Sequence, residues 1–233
     1  MPFGMFDPTI VLLIPAMIFA VWAQFKVRNT YAKWSKVRAT AGMTGAQMAK
    51  SIMQRNGVGD VGIEGVPGVL SDHYDPRVKM VRLSEPIGNG TSISSIAVAA
   101  HEVGHVLQHH QGWFPLVLRS QLAPVAGFGS MLAMPLFFIG LIFGAQLPFG
   151  TLLMDIGILF FAAAVLFHVV TLPVEFDASN RALAQLTSTG ALMPQEVAGA
   201  KKVLDAAALT YVAAAAMAAL QLLRLLMLRD SRR

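Results

Sequence analysis

The chain has 233 residues, of which 55% are hydrophobic and only 13% are charged, a balance that excludes an ordinary soluble domain. The absence of cysteine from the sequence excludes disulfides and thiolate ligands, so any metal site must use His, Asp and Glu. The net charge of +5 comes from basic residues spread over several connecting segments without a base-recognition pattern, so nucleic acid is not an expected partner.

The apolar residues form long runs, which predicts a multi-pass protein of the lipid bilayer. The first run, residues 9–25, is uncharged, is just long enough to cross the bilayer and is followed at once by Lys26 and Arg28. A cleaved signal peptide is the alternative, but in signal peptides the basic residues precede the apolar run. We therefore predict that residues 1–25 form a first transmembrane helix.

Residues 26–120 are polar and mixed in composition, and they predict a small α+β catalytic region. Thr44 can cap a first helix, which Asn56-Gly57 would end. Two short extended runs and a second helix follow, around residues 61–64, 78–83 and 92–109.

Two further apolar runs, residues 122–145 and 151–174, predict a transmembrane hairpin within residues 121–174. The turn residues between the runs are Gln146, Pro148 and Gly150. A hairpin returns the chain to the side that it left, so the segment that follows lies on the same face of the membrane as the catalytic region.

Residues 175–233 complete the predicted single domain and contain a fourth helical run at 203–228, whose crossing of the membrane the sequence leaves open. The segments assigned to the catalytic face carry 14 Lys and Arg, whereas the N-terminus and the hairpin tip carry none. By the positive-inside rule, the catalytic face is cytoplasmic and the N-terminus is outside. A spanning fourth helix would place Arg229, Arg232 and Arg233 outside, against this rule.

The motif that carries chemistry is His101-Glu102-Val103-Gly104-His105, which matches H-E-x-x-H. On a helix the two histidines lie one turn apart on the same face and can hold one zinc ion. Glu102 beside them can accept a proton from the water that the metal acidifies and pass it to the leaving amine. The apolar residues 96–100 directly before the motif indicate a buried helix, where unpaired polar groups are costly.

A catalytic zinc usually has three protein ligands and one open position, so one ligand must come from elsewhere in the chain. His109 and His110 follow on the same helix, but they are too close in sequence to complete the set and suit a helix C-terminus better. The segment after the hairpin contains Glu175, the better candidate, and Asp177, its rival. Stabilisation of a helix start by these two acids is the alternative without a metal.

Several segments together resemble the YugP-like neutral zinc metallopeptidases, which are integral-membrane gluzincins of bacteria. The segments are DHYDPR (72–77), VRLS (81–84), AAHEVGH (99–105), VEFDAS (174–179) and ALTYVAA (208–214), so the resemblance extends over nearly the whole chain. VEFDAS looks like the E-x-E-A-D segment of the related HtpX and prenyl-protein (CAAX) peptidases, in which the first Glu binds zinc. The resemblance implies a peptidase of the bacterial plasma membrane with Glu175 as its third ligand.

The sequence departs from those relatives at one position. They place an Asp four residues after the ligand, where it orients a zinc-bound histidine, and that position is Ser179 here. Support for the histidine then comes from Ser179 or from another residue. Asp177 is a candidate, although helix geometry points its side chain in another direction.

Two further roles stay open at this point. The run from Arg77 to Ser84 is either a structural strand or an edge strand that binds peptide substrate by backbone pairing. The residues expected to contact the substrate are Val81, Arg82, Leu83 and Ser84. Tyr211 leads as the donor that stabilises the oxyanion of the reaction, ahead of Tyr74 and Arg181, and each of the three also has a structural alternative.

The sequence thus predicts a mainly α, integral membrane protein with three to four transmembrane helices and a small α+β, zincin-like cytoplasmic part. The predicted function is zinc-dependent endopeptidase activity, with one zinc ion per chain and a peptide or membrane protein as substrate. One alternative is a membrane protein that binds zinc for transport or assembly without proteolysis. The other is a scaffold without a metal.

Overall fold

The fold is known from a computed structural model, which describes residues 8–143 and 149–231. It is predominantly helical with one small sheet, as predicted. The elements in chain order are a 3-10 turn (Pro8–Leu13), α1 (Ile14–Trp34), α2 (Gly45–Arg55), β1 (Gly62–Val66), β2 (His73–Asp75), β3 (Met80–Ser84), α3 (Glu85–Gly88), α4 (Ile93–His110), α5 (Phe114–Phe143), α6 (Gly150–Ser188) and α7 (Pro194–Asp230). The first residues of the predicted N-terminal helix, the tip residues Gln146 and Pro148, and the terminal Arg232 and Arg233 lie outside the described residues.

The chain divides into two compact units. The first, here called the membrane unit, comprises Met1–Trp22, Leu118–Leu172 and Tyr211–Arg233. The second, here called the site unit, comprises Ala23–Val117 and Pro173–Thr210 and contains both the H-E-x-x-H motif and Glu175. The four-part division of a single domain that the sequence suggested stays a prediction.

Four helices in the described part of the chain are long and apolar enough to cross a membrane, and α7 is one of them. The described pieces of α5, α6 and α7 in the membrane unit are each about 20 to 26 residues long, which matches the roughly 30 Å thickness of a bilayer core. Large apolar side chains cover the outside of this unit; Ile18, Phe128 and Leu159 are 65%, 69% and 67% exposed. Such a surface suits lipid better than water.

Within the membrane unit, an ion pair connects the N-terminal end of α6 with the C-terminal end of α7. Arg229, near the end of α7, donates from Nε to Asp155 Oδ1 at 2.8 Å and from Nη2 to Asp155 Oδ2 at 3.1 Å. Asp155 lies in the first turns of α6, close to the hairpin tip. The C-terminal end of α7 therefore lies beside the hairpin-tip end of α6, as expected for a helix that spans the same layer.

The site unit has its own apolar core, which buries one face of α2 against α4 and the sheet. Thr44 begins α2 with a capping box, in which its Oγ1 accepts from Gln47 N at 3.2 Å and its N donates to Gln47 Oε1 at 2.8 Å. Met48 and Ile52, one turn apart, are completely buried in the core. The predicted start and end of this helix are thereby confirmed.

The sheet has the strand order β1-β3-β2, with β3 parallel to β1 and antiparallel to β2. The sequence predicted the extended runs of β1 and β3 but not β2, which is only three residues long. Of the two alternatives for the run from Arg77 to Ser84, the edge strand is wrong and the structural strand is observed, because β3 is the central strand of the sheet. Every residue of β3 pairs with β1, and its first three residues also pair with β2, so the backbone of Val81 and Arg82 is not available to a substrate peptide. Contact of substrate with the side chains of this run, or with Leu83 and Ser84, stays a prediction.

Gly104 brings α4 close to α6. A Cβ atom at this position would lie 2.9 Å from the carbonyl carbon and 3.0 Å from the Cα of Ala178, and closer still to the Ala178 carbonyl oxygen. Because that obstacle is backbone, it cannot turn aside as a flexible side chain could. The glycine in the middle of the motif is therefore required by the packing that brings Glu175 to the histidines.

We expect Gly104→Ala to push α4 away from α6 and to lower the free energy of unfolding by about 1–3 kcal/mol, the usual cost of overpacking a core. Zinc affinity should fall as well, because Glu175 moves with α6. Gly127→Ala is the matched control, since Gly127 is also helical but has open space around it. Thermal unfolding and zinc titration of both variants check this; a Gly104→Ala protein that matches wild type in both would contradict the packing role.

Candidate metal centre

The two motif histidines lie on one face of α4. Ser92 caps this helix, its Oγ accepting from Ser95 N at 3.1 Å, and most of the helix is buried in the site unit. The imidazole rings of His101 and His105 have their centroids 4.9 Å apart and are nearly perpendicular. Their side chains are only 14% and 10% exposed. The helix predicted from the motif thus presents both rings in the same partly enclosed place.

Glu175 reaches these rings from α6. Its Oε2 lies 3.3 Å from His101 Nε2 and 3.6 Å from His105 Nε2, and the residue is 2% exposed. The three possible ligand atoms all lie within 4.8 Å of one another. Among the residues that the structure describes, this is the one group of three His, Asp or Glu side chains that could hold a metal ion in this way.

The spacing of these atoms fits a small tetrahedral cation. Zinc bonds of about 2.0–2.1 Å at tetrahedral angles place ligand atoms roughly 3.4 Å apart, close to the two distances from Glu175 Oε2 to the imidazole nitrogens. Two nitrogens and one oxygen are also ligand types that zinc accepts. Three ligands would leave the fourth tetrahedral position open, which is the arrangement of catalytic rather than structural zinc sites.

The other ring nitrogen of each histidine has a hydrogen-bond partner. His101 Nδ1 lies 3.1 Å from Ser179 Oγ, and His105 Nδ1 lies 2.9 Å from Gln108 Oε1. Because an amide oxygen only accepts, His105 Nδ1 carries a proton, and in the neutral ring the lone pair is then on Nε2, the nitrogen that faces Glu175. Both rings therefore present Nε2 to the place where a metal would bind.

Burial and neighbouring charges shift the titration of the motif residues. Burial alone would lower the pKa of the His105 imidazole, but the hydrogen bond and the charge of Glu175 raise it on balance. Glu102 is 7% exposed, and burial raises the pKa of its carboxyl, while positive charge on His101 and His105 offsets part of that increase. The carboxylates of Glu102 and Glu175 thus favour a positive charge at this site.

Ser179 and Asp177 were predicted as residues that support a zinc-bound histidine, and the structure puts them in different positions. Ser179 contacts His101 directly, through its Oγ. Asp177 reaches no imidazole; its Oδ2 accepts from Gln108 Nε2 at 2.8 Å and from Arg181 Nε. Asp177 is therefore not part of the metal-binding group and acts on His105 only through Gln108.

Gln108 is the residue at this site that sequence reasoning missed. No role was assigned to this glutamine from the sequence. A usable signal was nevertheless present, since a residue three positions after His105 on a helix lies next to it. A polar residue at that place on a buried helix is expected to bond to the ring.

The remaining predicted residues lie outside the group of three. His109 and His110 are exposed, and His109 Nδ1 lies 2.7 Å from Tyr74 OH. The guanidinium of Arg181 bonds to Asp177 and Gln111. Tyr211, on α7, belongs to the membrane unit, so its role as oxyanion donor stays a prediction.

Fold and site together define a class of protein: an α-helical membrane protein in which an H-E-x-x-H helix and a glutamate from a second helix form a possible metal centre. Residues 9–230 match the family model described as "Putative neutral zinc metallopeptidase", and the chain belongs to that family. The chain is also 49% identical, over 219 residues, to the "Putative membrane protease YugP" of Bacillus subtilis (strain 168). This alignment covers 94% of the chain and 95% of the relative. No solved structure matches the chain.

The comparisons confirm the family that the sequence motifs predicted. They also agree with a membrane protein and with zinc as the metal implied for the family. The donor atoms fit that metal, as the distances between Glu175 and the imidazoles show.

Proposed function

We propose that this chain is a zinc-dependent endopeptidase of the bacterial plasma membrane, a gluzincin that cleaves peptide or membrane-protein substrates. The observation that carries the proposal is the convergence of His101, His105 and Glu175 in one buried place, with Glu102 on the same helix as the histidines. Family membership and a relative named as a membrane protease support it.

The proposed roles follow from the chemistry of the side chains. His101, His105 and Glu175 hold one zinc ion, which when bound acidifies a water molecule and polarises the carbonyl of the scissile bond. Glu102 accepts the proton of the attacking water and delivers it to the leaving amine. Burial raises the pKa of the Glu102 carboxyl, which makes its carboxylate a stronger base than an exposed glutamate.

The enclosure of the site supports the same roles. Glu102, His105 and Glu175 are all less than 9% exposed, so charges among them act in a poorly solvated surrounding and are stronger than in water. The His101 side chain keeps 14% exposure, so the site retains some contact with solvent. Tyr211 is proposed as the oxyanion donor because it directly follows the part of α7 that belongs to the site unit.

Glu102→Gln should lower peptide cleavage by roughly 10²–10⁴-fold, the usual contribution of a general base, because an amide cannot accept the proton. Zinc binding should be unchanged, since Glu102 is not among the proposed ligands. The assay uses purified protein in detergent with zinc and a complex peptide mixture, in which new peptide ends are counted by mass spectrometry. Bound zinc is measured by elemental analysis of the same samples.

Glu85→Gln provides the matched control, because it makes the same chemical change on an exposed residue. It should leave both cleavage and zinc content at the wild-type level. Full cleavage by Glu102→Gln would contradict the assigned base. A wild-type protein that binds zinc but cuts nothing would favour the transport or assembly alternative, and a wild-type protein without zinc would favour the scaffold.

We further propose that the site unit faces the cytoplasm and that α7 spans the membrane, with its C-terminus outside. The 14 Lys and Arg of the catalytic-face segments support this orientation by the positive-inside rule. The bidentate pair of Arg229 with Asp155 beside the hairpin-tip end of α6 supports the crossing. Neutralisation by Asp155 also explains how Arg229, one of the three basic residues that this crossing would put outside, is tolerated there.

Cysteine labelling tests this topology cleanly, because the sequence contains no cysteine of its own. In intact bacteria, a membrane-impermeant maleimide should label the Ser231→Cys variant and leave the Gly59→Cys variant unlabelled until the membrane is opened. Both positions are exposed, and Gly59 has open space for the new side chain. Labelling of Gly59→Cys alone would reverse the proposed orientation, and protection of both would place the C-terminus inside.

A further inference from the structure

Gln108 uses its whole side-chain amide inside the protein. The residue is 0% exposed. Its Nε2 donates to Val174 O and to Asp177 Oδ2, both at 2.8 Å, and its Oε1 accepts from His105 Nδ1 at 2.9 Å. A carbonyl and a carboxylate can only accept, so the amide nitrogen must face α6 and the amide oxygen must face His105.

This orientation decides the chemical state of His105. With Oε1 as the acceptor, Nδ1 of His105 carries a proton, so the neutral ring has its lone pair on Nε2, where a metal would bind. The hydrogen bond also fixes the rotation of the ring, which otherwise has to be ordered when the metal binds. An apolar side chain at position 108 would leave both the tautomer and the rotation free.

The same amide also holds the segment that carries the third ligand. Val174 and Asp177 stand on either side of Glu175 on α6, one residue before it and two residues after it. Gln108 thus connects the helix of His105 with the helix turn of Glu175 through two hydrogen bonds. A single buried side chain therefore affects the placement of two of the three proposed ligands.

Asp177 places a negative charge next to the side-chain amide of Gln108. Its Oδ2 accepts from both Gln108 Nε2 and Arg181 Nε, so Arg181 holds the carboxylate in place. The negative charge of Asp177 strengthens the hydrogen bond that Gln108 Nε2 donates. Because hydrogen bonds in a chain polarise one another, Gln108 Oε1 then becomes a stronger acceptor for His105 Nδ1. A neutral glutamine next to the ring, with a carboxylate behind it, thus supports His105 in place of a carboxylate in direct contact.

We propose that Gln108, held by Asp177, is a positioning residue that sets the tautomer of His105 and the placement of Glu175 for metal binding. This inference rests on the proposed zinc site, and it concerns the affinity of that site before any cleavage. It assigns Asp177 the role of an anchor for the amide, distinct from that of Ser179 at His101.

Zinc affinity, measured by competition with a chelator, tests the inference with three variants. Gln108→Met keeps the length of the side chain but removes the acceptor, and it should weaken zinc binding roughly 10–100-fold, as loss of an outer hydrogen-bond partner does. Gln108→Glu restores an acceptor but sets its carboxylate against Asp177, so it should rescue binding poorly. Gln108→Glu combined with Asp177→Asn restores the acceptor and puts a donor behind it, although the Val174 carbonyl still lacks its donor, so it should recover part of the loss.

Gln185→Met is the matched control, because Gln185 on α6 makes a side-chain hydrogen bond with Asn56 away from the histidines. It should bind zinc as tightly as wild type. The visible spectrum of bound Co²⁺ adds a readout that packing alone does not change: the double variant should share the wild-type bands, and Gln108→Met should shift them.

Three results would overturn the inference. One is wild-type zinc affinity in Gln108→Met. The second is an equal loss in Gln108→Met and in the double variant, which would mean that Gln108 only fills space. The third, a wild-type protein that binds no zinc, would overturn the proposed function and this inference with it, whereas tight wild-type binding with either of the first two results would leave the proposed function standing.

Discussion

The structure depends on one contact, the approach of the Glu175 carboxylate to the imidazoles of His101 and His105 in a place with little solvent. A carboxylate that is 2% exposed is costly to bury unless positive charge and hydrogen bonds compensate it, and a cation shared with two imidazoles would supply that compensation. The close passage of α4 and α6 at Gly104 makes the contact possible. The hydrogen bonds of Gln108 and Ser179 turn the two rings towards it.

Much of this arrangement could be predicted from the sequence, because the signals were local. The spacing of His101 and His105 on a helix fixes their common face, and long apolar runs identify the membrane helices without any tertiary information. The choice of Glu175 needed only the topological argument that a hairpin returns to its starting side, together with the family resemblance. The helix cap at Thr44 could likewise be predicted from local sequence, since Thr44 and its partner Gln47 lie within one helical turn.

The features that escaped prediction depend on contacts between distant segments. Strand β2 has three residues and gains its identity only by pairing with β3, and that pairing turns β3 from a supposed edge strand into the central one. The bond from Gln108 to Asp177 joins residues 69 positions apart, and Gly104 is explained only by the backbone of Ala178. The local propensity of a residue does not depend on which distant residues it contacts in the fold. Sequence patterns alone could therefore not predict these contacts.

The atoms that would surround the metal ion decide whether Glu175 completes the site. X-ray absorption at the zinc edge, on purified wild-type protein and on its Glu175→Gln variant, measures those atoms directly. We expect two imidazole nitrogens and carboxylate or water oxygen at about 2.0–2.2 Å in wild type, with zinc weakened or lost in the variant. An unchanged spectrum and full zinc content in Glu175→Gln would contradict the claim that this carboxylate completes the site.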